Sequence, residues 1–222
     1  MVHRYGKLAV ALLGIGLLAG TAVAQNFQFG GFGMGGGGLL LMNPDVQKEL
    51  KLSEEQITKS KEVTQSVREK FKDDFAKLKD TPQDQRREKF QELSKSISAA
   101  TEKGLKDVLN ADQQKRLKQL EIQARGAAAF NEADVQNSLK LTDEQTEKIK
   151  TINEDIGKEM RETFKGAKDN PQEAFTKIGT LRKDGLEKVV ATLNADQKKA
   201  WKEMTGEPFE FKFRRPGANK DQ

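Results

Sequence analysis

The chain of 222 residues contains no cysteine, one histidine and one tyrosine. No disulfide staple and no thiol nucleophile can therefore operate. The single histidine is His3 and the single tyrosine is Tyr5, and both fall in a segment that reads as a secretory signal peptide over residues 1–24. Arg4 and Lys7 form its basic start, Leu8 to Leu18 its apolar stretch, and Ala22-Val23-Ala24 its small-residue cleavage site. Cleavage is expected after Ala24, with export across the inner membrane and a mature chain that begins at Gln25 without imidazole, thiol or phenol. Such a chain has no base of the histidine kind, so no enzymatic activity is expected, and only carboxylates are left to hold a metal. No metal site and no cofactor are expected. The apolar stretch is shorter than the ~20 residues that span a bilayer, so no stable membrane insertion is expected once the segment is removed. Removal of Arg4 and Lys7 from the 39 basic residues leaves 37 against 34 acidic ones, a mature net charge of +3. That mild excess lacks the clustered positive footprint of a nucleic-acid binder, and no nucleic acid is expected as a partner. The GGGG of the leader lacks the Lys-Ser/Thr that completes a P-loop, so no nucleotide site is visible either.

Charge and periodicity are abundant. Charged residues make up 33% of the chain and apolar ones only 35%, a composition suited to thin, long helices rather than a thick core. One pentapeptide pattern, Leu-[Ser/Thr/Asn]-x-[Asp/Glu]-Gln, occurs four times: Leu52–Gln56, Leu109–Gln113, Leu141–Gln145 and Leu193–Gln197. Ser53, Asn110, Thr142 and Asn194 are good helix N-caps, and Gln56, Gln113, Gln145 and Gln197 lie three residues later, where each side chain can reach back to the cap's N–H and close a capping box. The acid before each Gln meets the positive end of the helix dipole. Leu52 is also placed to staple onto Ile57, whereas the other copies have Thr146, Gln114 and Lys198 at that position.

The copies expose an internal duplication. Residues 43–56 align with 131–145, and LNADQQKRLKQL from Leu109 faces LNADQKKAWKEM from Leu193. The paired motifs are 57 and 52 residues apart, counted Leu to Leu, and both units carry an Asp-[Thr/Asn]-Pro-Gln turn at Asp80–Gln83 and Asp169–Gln172. There Thr81 or Asn170 can cap a helix with Pro82 or Pro171 as its first residue. The expected organisation is a Gly-rich flexible leader over residues 25–42, helical repeats over 43–126 and 127–205, and a Phe-rich basic tail over 206–222. Each repeat reads as a short helix, a long helix up to the Pro turn, a returning helix and a last helix. Apolar stripes at Val63, Val67, Phe71, Phe75 and Leu78 and at Ile149, Ile152, Ile156, Met160 and Phe164 support this. Gly104 and Gly185 weaken the returning helices and admit a bend. The tail switches to period two at Phe209, Phe211 and Phe213, a strand-like pattern that either tucks against the helices or offers stickers to a partner.

A secretory signal, a charged all-helical sequence and paired Leu-[Ser/Thr]-x-x-Gln motifs together resemble the LTxxQ family of periplasmic proteins, which includes a chaperone, a stress-response accessory protein and zinc-resistance-associated proteins. The likeness covers Asn43 to about Met204, about four fifths of the mature chain, and LNADQ departs from it in using Asn for Thr or Ser. What the resemblance implies is an all-α fold of elongated helical hairpins arranged as a curved cradle, which this chain's two tandem repeats of about four helices each supply either as an intramolecular pseudo-dimer or as a homodimer. It implies an ATP-independent periplasmic holdase that binds unfolded envelope proteins, with a regulatory accessory protein acting on a sensor domain as the alternative. A metal buffer is the weakest of the three readings, because the zinc-resistance relatives rely on His-containing sites. The candidate client contacts are Phe71, Phe75, Met160 and Phe164 on the long helices and Phe209, Phe211 and Phe213 in the tail.

Overall fold

A computed structural model describes residues 36–167 and 170–211, and among these the chain is all helical, without a strand. The helices are α1 (Gly36–Leu40), α2 (Pro44–Glu49), α3 (Glu54–Lys70), α4 (Lys72–Asp80), α5 (Gln83–Leu105), α6 (Ala111–Arg125), α7 (Ala133–Leu139), α8 (Asp143–Gly166), α9 (Pro171–Ala191) and α10 (Ala195–Thr205). A 3-10 segment at Gly126–Asn131 links α6 to α7. In each half a short helix, a long outgoing arm, a return helix and a last helix follow one another. The arms pair as hairpins, α3 and α4 with α5, and α8 with α9.

The short helices α2 and α7 end alike. Lys51 and Lys140 adopt the left-handed conformation, each with φ of 50°. The next amide then folds back, Leu52 N–H to Gln47 O and Leu141 N–H to Gln136 O, each at 3.0 Å. This is a Schellman stop with Lys where Gly is usual. It turns the chain straight into the motif that starts the next helix.

Three expectations need correction. The leader is structured sooner than its glycines suggest: Gly36–Leu40 is helical, and Gly37, Gly38 and Leu40 are buried. A Cβ on Gly37 would come within 2.8 Å of Leu117 Cδ2, and one on Gly38 within 3.0 Å of Thr64 Oγ1. Glycine here lets a backbone seat between α3, α5 and α6, and contacts made across the fold outweigh a poor helix propensity. The first outgoing arm is not one helix, because it is interrupted at Phe71 (φ −101°, ψ 7°), although Phe71 N–H still donates to Val67 O at 3.1 Å. Thr81 is not the cap of α5. Its hydroxyl donates to Lys77 O at the end of α4, at 3.0 Å, and Pro82 occupies the cap position without a side-chain bond. Asn170 does cap α9 with Pro171 first, accepting Glu173 N–H at 3.3 Å.

Gly104 and Gly185 lie within unbroken helices, where they act through size. A Cβ on Gly104 would sit 2.6 Å from Val63 Cγ1, and one on Gly185 would collide with Ile156. The two arms of each hairpin approach as closely as they do because these positions carry no side chain.

The buried residues form three clusters. One joins Leu41, Val46, Leu50, Leu105, Leu109 and Leu120 at the base of the first hairpin. A second, at its far end, is Phe71, Leu78, Leu93 and Ile97. The third surrounds Phe130, which is fully buried and lies 4.2 Å from the Trp201 ring, with Val135, Leu139, Ile149, Val189 and Leu193. Ile122 of α6 belongs to this last cluster, so the end of the first repeat contributes to the core of the second.

Candidate functional site

All four pentapeptides form capping boxes. The cap side chains of Ser53, Asn110, Thr142 and Asn194 accept the amide of the Gln three residues on, at 3.2, 2.9, 3.2 and 2.9 Å. Each Gln Oε1 in turn accepts the cap's N–H, at 3.1, 3.0, 3.1 and 2.9 Å. A capping box is satisfied equally by Gln or Glu at this position. The uniform choice of Gln therefore needs another cause.

The fold supplies it by bringing the two helix starts of each repeat together. Gln56 Nε2 donates to Gln113 Oε1 at 2.8 Å, and Gln113 Nε2 donates back to Gln56 Oε1 at 3.2 Å. The second amide hydrogens go to main-chain carbonyls, from Gln56 to Val108 O at 2.9 Å and from Gln113 to Leu50 O at 3.1 Å. The second repeat reproduces the arrangement. Gln145 and Gln197 exchange bonds of 2.8 and 2.9 Å, and their other hydrogens reach Thr192 O at 2.9 Å and Lys140 O at 3.3 Å. Each side-chain amide thus makes two donated and two accepted bonds. A carboxylate could keep the accepted pair and would lose the donated one. Gln113 and Gln197 are buried, where an unmatched donor or acceptor costs about 1–3 kcal/mol.

The leucines of the motif serve the same junction. Leu109 and Leu193 are buried in the first and third clusters, while Leu52 and Leu141 pack on those clusters from the edge. The twelve motif residues Leu52, Ser53, Gln56, Leu109, Asn110, Gln113, Leu141, Thr142, Gln145, Leu193, Asn194 and Gln197 form two clasps, one at the base of each hairpin. The clasps contain neutral amides and hydroxyls, and their chemistry is mechanical: they lock the short helix, the outgoing arm and the last helix of a repeat. Among the described residues no group of three or more His, Cys, Asp or Glu is placed to hold a metal.

The candidate contact residues separate by position. Phe71 is buried in the cluster at the far end of the first hairpin, and Phe75 packs on it. Phe209 and Phe211 are part-buried against the base cluster of the first hairpin and meet edge to face at 4.9 Å. Phe213 lies outside the described residues. Met160 is part-buried, and Phe164 is 46% exposed. Phe175, which the apolar stripes did not single out, is 47% exposed across the Pro turn from Phe164. The two hairpins thus differ at their ends. The first gathers its aromatics into a small core, and the second leaves Phe164 and Phe175 about half exposed, on a hairpin that also carries the exposed charges of Lys158, Glu159, Arg161, Glu162 and Lys165. Glu162 pairs with Lys165 at 2.8 Å, which holds its carboxyl below the ordinary range through that hydrogen bond and the lysine's charge.

Compared with known proteins, the chain matches no family model, no curated protein and no solved structure.

Proposed function

We propose that the chain is an ATP-independent holdase of the periplasm, which retains unfolded envelope proteins through the end of its second hairpin. The observation that carries this reading is the exposure of Phe164 and Phe175 on a hairpin whose base is locked by the Gln145–Gln197 clasp. Large apolar side chains cost free energy in water and are covered when the same chain has a use for their burial, as the first hairpin does with Phe71. Here they stand among lysines, arginines and glutamates, which attract and orient a partner at longer range while the rings make contact.

The magnitudes suit a holdase. Covering the remaining half of one Phe side chain is worth about 1 kcal/mol, so a single tip grips weakly and lets go without an energy source. Retention comes from several such contacts along an unfolded client. The signal-peptide pattern in the sequence of residues 1–24 is what supports a location outside the inner membrane in this reading. Light scattering from a chemically denatured client, diluted into buffer without nucleotide, provides the test. Protection at near-stoichiometric protein supports the reading, and unaltered aggregation over a tenfold excess contradicts it.

A further inference from the structure

The last described residues are seated on α6 in a manner that the holdase reading does not use. Arg116, Gln119 and Gln123 lie three and four residues apart on α6, hence on one face of it, and all three address the main chain of a single segment. Gln123 Nε2 donates to Thr205 O at 2.6 Å and to Glu207 O at 2.8 Å, and its Oε1 accepts Phe209 N–H at 2.8 Å. Arg116 Nη2 donates to Glu207 O at 2.9 Å, and Gln119 Nε2 reaches Glu203 O at 3.5 Å. Arg116 is itself aimed from below, since its Nε donates to Glu49 Oε1 at 2.8 Å. Gly206, at φ 63°, releases the segment from the end of α10 at the point where a Cβ would run into Gln119. Beyond it Phe209 and Phe211 pack on the apolar cluster at the base of the first hairpin.

Part of this set closes the end of α10, and that role accounts for the bonds to Glu203 O and Thr205 O. It does not account for the bonds to Glu207 O and Phe209 N–H. Those belong to residues past the helix, in a segment without helix or strand of its own. Main-chain groups held by fixed side chains, with aromatic residues two apart entering an apolar surface, are the elements by which extended peptides are recognised. Phe209 and Phe211 are part-buried and Glu210 between them is exposed, the alternation that an extended backbone produces by sending alternate side chains to one side.

We propose that this face of α6 is a binding site for extended peptide segments with aromatic residues at alternate positions, and that the chain's own Gly206–Phe211 segment is its resident, displaceable ligand. The resident is held on α6 by a few hydrogen bonds and two part-buried rings, and its covalent link is only the main chain that runs on from the end of α10. A competing segment needs only main-chain groups and the same aromatic spacing. The surface is distinct from the tip of the second hairpin and does not depend on that tip's role.

The probe is a fluorescein-labelled peptide of sequence GEPFEFKFRR, titrated by anisotropy into the full chain. Phe209→Ala with Phe211→Ala weakens the resident and should tighten peptide binding at least tenfold over the unaltered chain. A peptide of the same composition with two phenylalanines made adjacent should bind at least tenfold more weakly to that variant. Adding Gln123→Glu keeps an acceptor for the peptide N–H and removes the donor to its carbonyls, and should lower affinity at least tenfold while the cooperative melt is kept. Should Gln123→Glu abolish the melt, the comparison of the two peptides decides alone. A tail variant that binds no better than the unaltered chain, or that binds both peptides equally, overturns the proposal.

Discussion

At the scale of the residue, the informative atom is Nε2 of the motif glutamines. Gln145→Glu preserves the capping box and replaces two donated bonds with a carboxylate facing Thr192 O and Gln197 Oε1. We expect a loss of about 1–3 kcal/mol at pH 7, measured by urea denaturation. Two acceptors facing the new carboxyl raise its folded pKa above the ordinary ~4.3, so the native state binds more protons than the unfolded one. Stability relative to the parent should then recover as pH falls through the carboxylate range, where the protonated acid regains a donor. An unchanged stability at pH 7 would mean that the clasp bonds are not made in solution. Lys140 gives a change of the opposite sign. At φ 50° it carries a left-handed strain of about 1–2 kcal/mol that glycine avoids, so Lys140→Gly should raise stability by about 1 kcal/mol. A loss instead would show that the Lys side chain contributes more than its backbone costs.

At the scale of the element, two glycines in return helices should answer the same substitution in opposite ways. Alanine gains about 1 kcal/mol over glycine in a helix interior. At Gly179 of α9 nothing lies within 4 Å of a new Cβ, so Gly179→Ala should stabilise by roughly that amount. At Gly104 the new methyl would meet Val63 Cγ1 at 2.6 Å, and a valine in a helix has one strongly preferred rotamer and little room to yield. Overpacking costs about 1–3 kcal/mol and exceeds the propensity gain, so Gly104→Ala should destabilise. Thermal melts of the two variants check the pair, and equal shifts would contradict the close approach of α3 and α5. The elements themselves were legible because caps, Pro turns and apolar steps of three and four are local. The helix from Gly36 to Leu40 was not, since its stability lies in what Gly37 and Gly38 allow from Leu117, Thr64 and Thr101. The break at Phe71 was likewise hidden in an apolar stripe that runs through it without a change of step.

At the scale of the whole molecule, the four pentapeptides were readable as helix starts, while their pairing was not. A capping box is a local fact, whereas the Gln56–Gln113 and Gln145–Gln197 exchanges join residues 57 and 52 positions apart and need the finished fold. The same limit applies to the aromatics. Phe71 and Phe164 occupy similar stripes in sequence, yet one is buried with Leu93 and Ile97 and the other faces water. Phe175 stands at a position where the first repeat has Arg86, four residues after the proline, and that replacement of charge by ring was the one sequence sign of the exposed tip. The clasps are structural, and we propose that the tip of the second hairpin holds the client. The most direct measurement is aggregation suppression by the full chain carrying Phe164→Ser and Phe175→Ser, alongside its melting curve. A melt close to the parent's is expected, since exposed positions usually change stability by no more than about 0.5 kcal/mol, together with at least a severalfold loss of protection. Full protection by a variant that melts like the parent would contradict it.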